Sequence, residues 1–155
     1  MQLSKQIEVK LDRIAKTIDE GYRLERLKDF AIPILFNKEG RRIRLIYGGP
    51  AGFSISGVFW SSIFCTQMKQ YSYFIGFAIV QFVGVIASSL NASFIGSFVE
   101  LAFCIAYGFY YPYLRFINRE QKKENLSLIK ALFYSIGLGF VASVPALLLE
   151  FMIGA

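Results

Sequence analysis

Glu100 and Glu150 are the two acids of this 155-residue chain that stand inside long apolar runs, and Gln81 stands in a third such run. An ionisable group within a membrane span is costly to desolvate, so it marks a functional or interhelical role by default. Carboxyls joined by water and hydroxyls can carry a cation or proton, and Ser89, Ser93, Ser97, Tyr107 and Ser143 are the hydroxyls within reach. The plainer reading has Glu100 protonated or hydrogen-bonded between helices, Glu150 reaching the outer interface, and Gln81 acting as helix glue. It takes precedence, because isolated polar residues commonly serve that purpose. A further reading pairs Glu100 with a cation from another subunit.

Small residues recur at four-residue spacing: Gly84 with Ser88, Ala102 with Ala106, and Ser135, Gly139 and Ser143 in series. Such rows let helix backbones approach closely, within one chain or between subunits. Pro145 removes a hydrogen bond to Val141 and is expected to kink the last helix. A second group, Lys38, Arg41, Arg42 and Arg44, is placed to meet lipid phosphates if it lies at the bilayer surface. Tyr107, Tyr110, Tyr111 and Tyr113 read as an aromatic belt beside Arg115.

Catalysis has little support. The chain has no His to act as a general base, and the glycines of GGPAG lack the Lys-Ser/Thr ending of a phosphate loop. Cys65 and Cys104 stand alone in apolar runs and read as small buried hydrophobes. No catalytic, cofactor-binding or metal-ligating residue is expected.

These side chains need a membrane scaffold to position them. The chain is 55% hydrophobic and 17% aromatic, with a mean hydropathy of +0.46, more apolar surface than a soluble domain this size can bury. Three segments are long enough to span: 71–90, 93–114 and 128–153. The net charge of +6 sits on residues flanking these segments, which fits a membrane pattern and argues against nucleic acid. The opening MQLSKQIEVKLDR has no apolar core of a signal peptide, so the N-terminus is expected to stay in the cytoplasm.

Residues 1–30 read as one amphipathic cytoplasmic helix, with Ile7, Leu11, Ile14 and Ile18 on a stripe. Its polar face carries both signs, Lys28 and Asp29 included, which suits a partner helix or the protein's own surface better than anionic lipid. Residues 31–51 read as a basic hairpin or clip, with a turn at residues 37–40 and a break at Gly48-Gly49-Pro50.

Residues 53–67 are too short to cross. If they did cross, with the basic N-terminal region inside, Lys69 and the basic loop of Arg115, Arg119, Lys122 and Lys123 would both fall outside, against the positive-inside bias. If they turn back or lie at the interface, all 17 Lys and Arg share one side. The second arrangement is adopted, with the C-terminus outside. The fold class expected is therefore all-α integral membrane: three transmembrane helices, a re-entrant or interfacial segment, and the N-terminal helix, with a membrane domain over 52–155.

The order of NKEGRRIRLIYGGPAGFSISGVFWSSIFCTQMKQYSYFIGF, followed by a span ending in GFYYPYLRFINREQKK, resembles the bacterial membrane family catalogued as domain of unknown function 2628 over roughly residues 38–123. The resemblance implies a bacterial inner-membrane location and brings no established chemistry. The expected role is a structural or accessory subunit of a larger membrane complex, whose partners are the bilayer and other membrane-protein subunits. An oligomeric pore or transporter is the alternative, and a phage or toxin-system membrane protein a third.

Overall fold

A computed structural model describes residues 5–27, 30–47 and 49–153, so the expectations for Lys28, Asp29 and Gly48 fall outside the described residues. Helix α1 spans Lys5–Asp19 and buries Ile7, Leu11 and Ile14, the stripe its spacing predicts. It is shorter than the helix expected over 1–30. No apolar repeat continues past Ile18, and Gly21 takes a φ of +96° while its N–H bonds to the Ile18 carbonyl at 2.8 Å, closing the helix with a left-handed residue.

The chain then enters a three-stranded antiparallel sheet in the order β1 (Arg23–Arg26), β2 (Pro33–Phe36), β3 (Arg42–Ile43). Thus an all-α description omits a small sheet. The β2–β3 turn is built by Asn37, whose side-chain oxygen accepts from the Glu39 and Arg41 N–H groups at 3.0 and 2.8 Å, with Gly40 at φ +77°. A 3-10 turn at Leu45–Tyr47 follows.

Three helices are long and apolar enough to cross a membrane: α4 (Ser72–Ser89), α5 (Ser93–Glu120) and α6 (Leu128–Ile153). Their outward faces carry Phe98, Phe133, Phe140 and Phe151, all exposed, the reverse of a soluble protein. α4 and α5 form a hairpin through Asn91, at φ +56°, and cross at two glycines: a Cβ on Gly96 would stand 2.8 Å from the Gly84 Cα. α6 lies against α4 and α3, burying Ala131, Ser135, Ala142 and Ala146, and runs unbroken through Pro145.

Residues 53–67 form two short helices, α2 (Ile55–Phe59) and α3 (Ser61–Gln67), separated at Trp60, whose φ of −117° and ψ of 19° leave the helical region. α2 docks on α5 by a backbone device. Pro112 has no N–H to give the Gly108 carbonyl four residues earlier, and that carbonyl accepts instead from the Ser54 N–H at 2.8 Å. Gly57 allows the approach, since a Cβ there would meet the Tyr111 Cβ at 2.8 Å and the Tyr107 carbonyl at 3.0 Å.

α3 then leads to Gln67, which accepts from Arg115 at 3.2 Å through its side chain and from the Leu126 N–H at 2.9 Å through its carbonyl. The segment therefore starts beside Gly108 and finishes beside Arg115 and the α5–α6 loop. Seven residues of α5, about 10 Å, separate these levels. Lys69, two residues after Gln67, has φ +57° and turns the chain into α4.

One apolar core joins the extramembrane elements to the bundle: Leu11, Ile14, Leu35 and Leu45 pack in the same cluster as Met68, Leu114 and Phe116. Tyr113, 1% exposed, accepts the Ala51 N–H at 3.1 Å, and Lys10 donates to the Phe53 carbonyl. Arg26 of β1 donates to the Gln70 side chain. α1, the sheet, Lys69 and the basic α5–α6 loop thus gather at one end of the bundle, while the Asn91 turn lies at the other.

Candidate functional site

At the Asn91 end, α4, α5 and α6 enclose a cleft of about 460 Å³. Each helix gives it one face at three-, four- and seven-residue steps. From α4 come Gln81, Gly84 and Ser88; from α5 come Ser93, Ser97 and Glu100; from α6 come Ser143, Ala146 and Glu150. The close Gly84–Gly96 crossing forms its floor, because two residues without side chains leave room for the polar groups around them.

The cleft is rich in acceptors. The Gln81 Oε1 atom is buried and meets no donor among the described residues. Neither Glu100 nor Glu150 has a cation within ion-pair distance there; the ion pair found is Arg41 with Glu39, at 3.3 Å on the exposed hairpin. The Ser143 hydroxyl is turned back to the Gly139 carbonyl at 2.9 Å. The arrangement suits a bound cation, or donors brought by another helix.

Toward the basic end the polar lining gives way to aromatic rings. Tyr73 lies 4.7 Å from Tyr107 and 5.4 Å from Phe103, centroid to centroid, and Phe103 lies 5.0 Å from Tyr107. The Tyr73 hydroxyl pairs with Ser61 of α3 at 3.0 Å, both groups buried. Packed rings therefore lie between the cleft and the polar surface around α1 and the sheet.

Of the residues marked in the sequence, Gln81, Glu100 and Glu150 share this one cleft with Gly84, Ser88 and Ser143. Ser135 and Gly139 do not: they line a separate groove with Trp60, Tyr73 and Phe77, so the small-residue row of α6 serves two neighbours. Ser89 bonds to the Ile86 carbonyl at 2.8 Å, away from the cleft, and Tyr107 belongs to the aromatic layer. Arg42 and Arg44 line a third groove with Tyr110, whereas Lys38 and Arg41 stand exposed at the hairpin tip.

Two features were not marked in advance. Gly96 pairs with a residue on another helix, so no spacing within α5 reveals it. The Gly108 carbonyl was announced only by Pro112 four residues later. No family model, curated protein or solved structure matches the chain.

Proposed function

We propose that this chain is an accessory subunit of a bacterial inner-membrane complex, and that its acceptor-lined cleft receives a transmembrane helix of an unlike subunit bearing Lys, Arg or hydrogen-bond donors. The observation that carries this reading is the set of unmet acceptors: a buried Gln81 oxygen without a donor, beside two carboxyls without a cation. A charged side chain costs on the order of 2.5–3.5 kcal/mol to insert at the centre of a span and less toward its ends, and a matching donor offsets that cost. The aromatic layer of Tyr73, Phe103 and Tyr107 counts against a continuous path through one copy of the chain.

The orientation follows from charge. The Lys and Arg of α1, the sheet, Lys69 and the α5–α6 loop share one end, and that end is cytoplasmic. α2 and α3 then form a re-entrant element on the cytoplasmic side, the Asn91 turn faces outward, and the C-terminus lies outside. The cleft occupies the outer half of the membrane. α1, with its apolar stripe packed into the chain's own core, anchors the cytoplasmic cap.

Native mass measurement after extraction in mild detergent tests the assignment. The wild-type chain is expected to hold an unlike subunit in fixed ratio, and Glu100→Gln with Glu150→Gln to reduce that retention at least tenfold. A homo-oligomer alone would replace this reading with the pore. An uncomplexed monomer would remove it.

A further inference from the structure

Arg42 of β3 and Arg44, one residue past the end of that strand, both line a groove of about 470 Å³ between the sheet and Tyr110 of α5. Among the described residues no acid lines the groove, and Glu39 of the hairpin tip is engaged by Arg41 at 3.3 Å. Neither guanidinium has an acidic partner among the described residues, so the pair suits an anion. Ile43 and Ile46 give it an apolar wall, with Ile46 exposed.

Its depth says what kind of anion. Tyr110 lies 17 residues along α5 from Ser93, the helix's first residue (110 − 93), a rise of about 26 Å, close to the far edge of a hydrocarbon layer about 30 Å thick. Lipid phosphates lie just beyond that level, within reach of long arginine side chains.

We propose that this groove binds one anionic phospholipid, its phosphodiester held by Arg42 and Arg44 with the Tyr110 hydroxyl, and its first acyl carbons along Ile46. Paired guanidiniums match phosphate oxygens in a fixed fork. A zwitterionic headgroup would bring its own ammonium beside two arginines with no acid to receive it, so phosphatidylglycerol is preferred over phosphatidylcholine. The assignment is independent of the cleft at the opposite end.

The test is native mass spectrometry of the full chain after exposure to phosphatidylglycerol vesicles, phosphatidylcholine vesicles, or inorganic phosphate. The wild-type chain is expected to retain a single phosphatidylglycerol, and at least tenfold less phosphatidylcholine. Arg42→Gln with Arg44→Gln should lower that retention about tenfold. Lys122→Gln with Lys123→Gln removes equal charge from the α5–α6 loop at the same end of the bundle and should leave it within about twofold. Tyr110→Phe, which keeps both charges, should lower it severalfold. Equal loss from both double variants would show diffuse attraction and overturn the site. So would equal retention of the two lipids, or full displacement of the lipid by millimolar inorganic phosphate.

Discussion

The Ser54 N–H donates to the Gly108 carbonyl at 2.8 Å, using the acceptor that Pro112 leaves without a helical donor. A proline in a long helix thereby becomes an attachment point for a neighbouring short one. The contact is tight on both sides, because a Cβ at Gly108 would fall 2.5 Å from the Phe53 ring and 2.7 Å from the Val58 side chain.

Gly108→Ala is accordingly expected to push α2 off α5, at about 1–3 kcal/mol of stability. The single tryptophan, Trp60, sits at the α2–α3 junction and reports the change through its fluorescence. Pro112→Ala tests the bond itself: a restored N–H competes for the Gly108 carbonyl, so the Trp60 spectrum should move without any steric clash.

The α4–α5 crossing is asymmetric. A Cβ on Gly96 would stand 2.8 Å from the Gly84 Cα, whereas one on Gly84 would stand 4.0 Å from the Gly96 Cα. Gly96→Ala should lower the unfolding temperature in detergent by an amount corresponding to about 1–3 kcal/mol, and Gly84→Ala should be near neutral. Gly137→Ala, where a Cβ meets nothing within 4 Å, is the control and should stabilise by about 0.5–1 kcal/mol through helix propensity.

Tyr113 fixes the loop that leads from the sheet into α2. Tyr113→Phe leaves the buried Ala51 N–H without its acceptor, 3.1 Å away, and should cost about 1–3 kcal/mol in thermal unfolding. Gly49→Ala should cost more, since its Cβ would fall 2.2 Å from the Tyr113 hydroxyl and 3.1 Å from Leu45.

The proposed orientation predicts a labelling pattern. In a chain with Cys65 and Cys104 replaced by Ala, a cysteine at position 91 should react with an impermeant maleimide from outside intact cells. Cysteines at 69 and 122 should react only after permeabilisation. Labelling of either from outside would invert or break the arrangement.

The spans were legible because each depends on a local apolar run, and the observed helices begin within a residue of 71, 93 and 128. The meeting of Gln81, Glu100 and Glu150 was legible only as shared depth. That all three face one cleft depends on helix rotation, which Gly84 and Gly96 set by contact across helices. Strand β1 was not legible. Arg-Leu-Glu-Arg favours a helix as readily as a strand, and it is extended because β2 offers it an edge, a tertiary effect outside its own sequence. The same holds for the Ser54–Gly108 bond, whose partners are 54 residues apart.

The claim that a partner helix completes the cleft is tested most directly by photo-crosslinking in native membranes. A photoreactive side chain is introduced in turn at Ser97, which lines the cleft, and at Phe98 and Phe140, which face outward on α5 and α6. The account predicts an adduct with an unlike chain from position 97, and lipid adducts alone from 98 and 140. Protein adducts of equal yield from all three positions, or none from position 97, would contradict it.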